Sequence, residues 1–553
     1  MRRSPCFSPM AQPRPPEYEN SVPGHCINTV SLAVYLCDTP AKQPGGVRAK
    51  LAQQPGYLAG NGSDRLSRER QGYACQAAGS GCSERRSGKM LEEKLMWLKL
   101  SDRIRDELIQ CRYEGRCVEE YEAWAEAVLA MPEGKEKENL SKRLLLALES
   151  APFKDGYDLE EPEDYEDICR TLPEESQVCM DFDREGYRER LRGAWYGRAI
   201  GCLLGIPVES WHKDRIQGFL QDSGQWPLTE YMRSDIDEDV RAKYGIMDMD
   251  PGQSYDRTQI CWRNNVYAFP VDDDTNYTVC ALRLIENWGK DFSTEDAAQN
   301  WLLSVPVLHT CTAERVALQN ILNGVLPPAS GAYLNPYREW IGAQIRGDFF
   351  GYIHPGNPKA AAQMAWRDAR VSHVKNGVYG EMYVAALLSL AGAWVPASNW
   401  KDENMAGCLL CENALLQIPP KSRLAKDISR VISLYRSDAS FDSAIELIHG
   451  LYDETKGFDW CYVNPNAMIV TACILWYAMD FSTGIAKAVE SGFDTDCNGA
   501  TVGSVLGMLG GFSAIDPKWL SGLDPVLTTS VHKYEHLSLE EVVDRTLRII
   551  DKV

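Results

Sequence analysis

Two segments of this 553-residue chain place glycine at every fourth position: Gly193, Gly197, Gly201 and Gly205 in one, Gly499, Gly503, Gly507 and Gly511 in the other. Residues four apart share one helix face, so each segment predicts a helix with a bare stripe along which a second backbone can lie. Each glycine costs a helix roughly 1 kcal/mol relative to alanine, so four on one face need close packing as compensation. Helices in bilayers use the same spacing, but Arg192 and Arg198 interrupt the first segment and argue against that setting. Elsewhere residues 358–372, 380–394 and 465–481 repeat apolar positions at three and four, and strand-like alternation is scarce. The predicted fold class is all-α.

The chain is longer than one hydrophobic core usually supports, so more than one unit is expected. Residues 1–89 hold 12 Lys and Arg against 6 Asp and Glu and are broken by Pro, Gly and Ser, whereas the chain as a whole carries −20. That segment predicts disorder, and Met90, where a helical pattern begins, is a candidate natural start. Residues 90–175 read as a smaller helical N-terminal region, broken at the Pro-Glu-Gly of 132–134 and ending in an acidic linker over 158–167. Its apolar stripe (Leu91, Leu95, Leu98) is expected to pack on the main domain, which starts near Tyr187 and spans 186–553.

The acidic balance excludes a nucleic-acid surface built on clustered positive charge. The 18 cysteines follow no dense spacing, and several sit in apolar helical stretches, which suits a reducing, cytoplasmic setting. Cys408 and Cys411 form a CxxC without a second pair at zinc-site spacing, so it predicts no metal. No segment has the length of about 18 uncharged apolar residues that spans a membrane.

The chemistry lies beside the glycine helices. Asp272, Asp273 and Asp274 precede a helix whose apolar face runs Tyr277, Ala281, Leu284, Ile285 and Trp288. Asp494 and Asp496 stand immediately before the second glycine-spaced helix. A single aspartate at a helix N-terminus is an ordinary cap, stabilising by about 0.3–1 kcal/mol. Three in a row repel one another unless a cation neutralises them, and clustered carboxylates are how proteins hold hard divalent ions.

These residues resemble a known family, the ADP-ribosylglycohydrolases. Residues 193–209 are similar to its first motif, G-x-x-x-G-x-A-x-G-D-A-L-G-x-P-x-E. Residues 273–278 (Asp-Asp-Thr-x-x-Thr) resemble its first metal motif, residues 367–386 its central Ser/Thr-His segment, and residues 494–503 its last motif. The resemblance implies a compact orthogonal helical bundle and two magnesium ions, with manganese as an alternative. The ligand positions it implies are Asp272, Asp273, Asp274, Asp494, Asp496 and Cys497. Glu209 would gate the site or position substrate, and His373 with Asn376, Gly377, Tyr379 and Gly380, read as a loop, would contact the ADP-ribose phosphates and riboses. Three departures stand out: Asp272 and Cys497 replace threonines, and Cys202 replaces an aspartate. Sulfur at 497 is a ligand that magnesium disfavours.

The implied activity is hydrolysis of the glycosidic bond between ADP-ribose and a modified protein or small acceptor. A water activated by two cations would attack through an oxocarbenium-like transition state. Sequence leaves open whether Asp273, Asp274 or Glu209 takes the proton. Two other classes remain: a metal-dependent phosphoesterase, which the glycine helices do not support, and a catalytically silent ADP-ribose-binding relative, which retention of the aspartates disfavours. The long segment 210–271 is expected to shape the substrate mouth.

Overall fold

The glycine-spaced segments form the helices Tyr187–Gly205 and Thr495–Gly510, which lie backbone to backbone. A Cβ built on Gly201 would sit 1.9 Å from the carbonyl oxygen of Gly499; on Gly197, 2.1 Å from that of Gly503; on Gly193, 2.0 Å from that of Gly507. No side chain fits there. Rising numbers on one helix meet falling numbers on the other, so the pair is antiparallel. The end of the first helix, beyond which Glu209 stands, therefore meets the start of the second, beside Asp494 and Asp496. Gly511 departs from the expected stripe: with φ +76° it is the C-cap of its helix, a left-handed position that favours glycine.

The structure is a computed structural model and describes residues 95–174, 180–250, 255, 257–394 and 405–551. The expectations of disorder over 1–89 and of a start at Met90 fall outside the described residues. Regular structure within them is all-α apart from one small sheet. Strand β1 (Ala268–Phe269) pairs in parallel with β2 (Asp524–Thr528), which pairs antiparallel with β3 (His536–Ser538). β1 leads into the helix Asp273–Trp288, so the first aspartate cluster sits where the chain turns from strand to helix.

Arg198, buried on the first glycine helix, ties these pieces together. Its Nε donates to the Asp274 carbonyl (2.9 Å) and Nη2 to both Asp274 Oδ1 (3.1 Å) and the Ile345 carbonyl (2.6 Å). Nη1 lies 2.9 Å from Asp348 Oδ2. The arginine that argues against a bilayer thus crosslinks the core. The helix Lys375–Gly392 is buried on every side, as expected for a helix apolar all round. It starts five residues before the expected 380, so residues 377–380 are helix and not the loop read from the sequence.

The N-terminal helices Ile104–Tyr113, Glu122–Leu129 and Lys135–Glu149 break at the expected place, with Gly134 opening the third. They pack around Ile104, Leu108, Val128, Leu144 and Leu148, and Leu334 of the main domain joins that cluster. The packing stripe is not the expected one: Leu95 is 38% exposed and Leu91 lies outside the described residues. The acidic segment after them is no free tether either. Glu161 accepts from Arg423 Nη2 at 2.6 Å and from Asn376 Nδ2 at 2.9 Å, and Tyr379 donates to the Pro162 carbonyl at 2.5 Å.

Candidate metal centre

Asp272 caps the helix Asp273–Trp288, its Oδ1 accepting from Asp274 N at 3.1 Å. Asp494 precedes the second glycine helix but makes no side-chain cap. Capping therefore accounts for one aspartate of the five. Two groups of ligand atoms result, each within 4.8 Å of one another: Cys202 with Asp272 and Asp274, and Asp494 with Asp496 and Cys497. The groups face a common space, because Asp494 acts electrostatically on Asp272 and Asp274, Asp496 on the same two, and Cys497 on Asp273 and Asp274.

The electrostatics are those of crowding. Burial, reinforced by neighbouring carboxylates, pushes Asp273, Asp274 and Asp496 well above the usual carboxylate range and raises Asp494 as well. Glu209 keeps 40% of its side-chain surface yet is pushed up to about 7, by desolvation and then by Asp272, against the pull of Arg257. Six carboxylates (Glu209, Asp272, Asp273, Asp274, Asp494, Asp496) face two guanidiniums, Arg198 and Arg257. Asp274 Oδ2 and Asp496 Oδ1 are buried without a hydrogen-bond partner. Unsatisfied anionic oxygens at such depth are costly, and a divalent ion is the group that would satisfy them. The residues fit a metal.

Several residues of this centre escaped the sequence reading. Arg257 contacts Asp272 Oδ2 (3.3 Å) and reaches Glu209 (4.0 Å). Cys461 Sγ lies 3.6 Å from Asp494 Oδ2. Asn466 Oδ1 accepts from both Asp494 N (3.2 Å) and Asn498 Nδ2 (2.8 Å), holding the second cluster in place. Isolated Arg, Cys and Asn positions carry no spacing signal.

The five residues assigned to substrate contact make other bonds. His373 is fully buried, its Nδ1 2.7 Å from Ser372 Oγ; desolvation and Arg346 hold its pKa well below the ordinary value. Asn376 bonds Glu161, Glu339 and the Leu424 amide, and Tyr379 bonds Pro162. A Cβ on Gly377 would meet the Arg338 carbonyl at 2.7 Å, and one on Gly380 would meet Val463 at 2.6 Å. Their hydrogen bonds and close contacts thus run to the acidic segment and neighbouring helices rather than to the aspartates.

Beside Glu209 opens a cleft of about 360 Å³ lined by Trp211, Arg215, Asp250, Arg257 and Trp262, all from the segment expected to shape the mouth. Arg215 stacks over Trp211 at 3.8 Å. No helix among the described residues is long and apolar enough to cross a membrane.

An all-helical fold built on a glycine-paired helix couple, with acidic clusters at the couple's joined ends, defines a protein suited to holding divalent ions. The model of the family described as ADP-ribosylglycohydrolase matches residues 183–551, about two thirds of the chain, and the chain belongs to that family. A solved structure titled "ADP-ribosylglycohydrolase-related protein complex" aligns at 20% identity over 66% of this chain and 99% of its own, with a TM-score of 0.40. No curated protein matches. Family membership implies a hydrolase of the glycosidic type.

Proposed function

We propose that the chain hydrolyses the glycosidic bond joining ADP-ribose to a modified protein or small acceptor, with two divalent cations at the joined helix ends. The observation that carries this reading is the excess of buried carboxylates, two of them with an unpartnered oxygen, at the place where the family's motifs converge. Asp272, Asp273, Asp274, Asp494 and Asp496 would hold two magnesium ions, or manganese, with Cys497 beside them. When bound, such ions supply positive charge to ribose hydroxyls and lower the pKa of water within their reach.

The chain's own residues do the rest. Arg198 pins Asp274 and Arg257 pins Asp272, so the ligand cage is held in advance of binding. Glu209 is the member of the cluster that also lines the open cleft, so it is placed to take the proton from an attacking water. Trp211 and Arg215 form an aromatic and cationic wall suited to a planar, anionic ligand such as the ADP moiety.

The test is release of free ADP-ribose from arginine-, serine- and small-molecule-linked substrates, with and without magnesium. Asp274→Asn and Asp496→Asn are expected to lose metal affinity and turnover together. Glu209→Gln is expected to lose about 10²–10⁴ in turnover with metal affinity largely kept. Release that survives both chelation and the two Asn changes would refute the reading.

A further inference from the structure

The carboxylate centre contains sulfur that a magnesium site does not use. Cys202 and Cys497 are 2% and 6% exposed, and each closes a triangle of ligand atoms with two aspartates. The ordinary reading of a buried cysteine is a small hydrophobe, and Cys473 and Cys411, which share the apolar core with Cys202 and Cys497 but join no cluster of possible metal ligands among the described residues, fit it. Cys202 and Cys497 differ, because carboxylates lie within reach of their thiols and because Asp274 and Asp496, one residue of each triangle, each keep a buried oxygen (Oδ2 and Oδ1) without a hydrogen-bond partner. A methyl-sized apolar group gains little among anions. A sulfur ligand gains a metal bond.

Ligand identity decides which ion such a cage selects. All-oxygen sets suit magnesium and calcium; adding sulfur moves the preference towards borderline and soft ions. Three protein ligands with the remaining position open is also the pattern of zinc sites that do chemistry. Bond lengths of about 2.3 Å to sulfur and 2.0–2.2 Å to oxygen put ligand atoms on one ion no more than about 4.5 Å apart, so three atoms that lie within 4.8 Å of one another close on an ion through small side-chain movements.

Building on the metal reading above, we infer that Cys202 and Cys497 are direct ligands and that the centre prefers a borderline ion of the zinc or cobalt class over magnesium. One ion sits on Cys202, Asp272 and Asp274, the other on Asp494, Asp496 and Cys497. Binding replaces each S–H bond with an S–metal bond and releases one proton per thiol to solvent; no redox change is involved.

The experiment titrates metal-stripped full-length chain with Co²⁺ and follows sulfur-to-cobalt charge-transfer absorption, with Zn²⁺ and Mg²⁺ affinities measured by competition calorimetry. Wild type should show a saturable charge-transfer band and bind Zn²⁺ at least about 100-fold more tightly than Mg²⁺. Cys202→Ser and Cys497→Thr should each remove about half of that band. Each should weaken Zn²⁺ binding by at least the roughly 10–100-fold that loss of a ligand's outer partner costs, and leave Mg²⁺ affinity level or improved. Circular dichroism confirms that the variants are folded, and Cys497→Thr supplies the oxygen that the family resemblance implies there. Cobalt binding without the band, or unchanged Zn²⁺ affinity in both variants, overturns the thiol ligands and leaves the carboxylate site standing. Failure of all three ions to bind overturns both.

Discussion

Two buried acidic regions of this protein meet opposite electrostatic fates. Around Arg338, the carboxylates of Glu107 and Glu114 are met at 2.7 Å each, and Lys375 adds a second cation 2.9 Å from Glu114. Burial alone would raise Glu114, yet Arg338, Lys375 and Arg423 hold it well below the usual carboxylate range. In the aspartate centre, equal burial drives Asp274 and Asp496 the other way, because the neighbours there are mostly carboxylates. Depth does not decide the charge state; the number of cations within reach does. The first region is compensated by its own cations as folded, and the second keeps an excess of carboxylates, which the proposed ions would balance.

The most damaging break of this contrast is Arg338→Met. It strands Glu107 in the interior, leaves Glu114 to Lys375 and Arg116, and should cost about 3–5 kcal/mol in urea denaturation. A loss near zero would mean that the two acids find other partners and that the region is not compensated as described.

A middle-sized effect comes from pH. Glu314 beside Arg346 is pushed up to about 7 by burial, and Arg346 recovers only part of the shift. A raised acid favours the folded state while protonated, so this stability is full below about pH 4.5 and lost as pH rises through 7. At 1.36 kcal/mol per unit the loss is at most about 3.5 kcal/mol. Glu209, also pushed up to about 7, should give a slope of the same sign that bound metal abolishes. Glu114, held low, slopes oppositely, losing stability on acidification. Melting curves of wild type and Glu314→Gln over pH 4.5–8, with and without metal, separate the first two, and the Glu114 slope is read by extending the scan below pH 4.5. A slope unchanged in Glu314→Gln would remove that residue from the account.

The smallest effect is the most telling. Asp496→Asn in metal-free protein should change stability by no more than about 1 kcal/mol, with a gain as the expected sign, because it relieves crowded charge. A destabilisation on the scale of Arg338→Met would show that Asp496 is a structural ion-pair member.

Local pattern made part of this visible in the sequence. Four-residue glycine spacing disclosed the paired helices, and consecutive aspartates disclosed where buried carboxylates gather, because both signals are short-range. Gly511 satisfied the same spacing, but its left-handed φ makes it a cap. The Gly377–Gly380 stretch, read as a loop with the family resemblance, lies within a helix buried on all sides. What stayed hidden depends on distant pairing. Glu161 meets Arg423 across 262 positions, and Arg198 meets Asp274 across 76. Nothing in a window of sequence marks those partners, so an acidic stretch read as linker turns out to be anchored in the main domain.

The glycine-to-glycine contact has a dynamic corollary. Helices packed through side chains slide by exchanging rotamers, but atoms of the main chain have no rotamers to exchange. Three successive contacts of that kind between Gly193–Gly201 and Gly499–Gly507 leave the couple no soft coordinate along its axis. The backbone spacing between the end of the first helix, at Gly205, and the start of the second, at Thr495, is therefore set by main-chain contact and not by side-chain packing. Side-chain rearrangement is left to surfaces that carry side chains, among them Trp211 and Trp262 in the cleft beside Glu209.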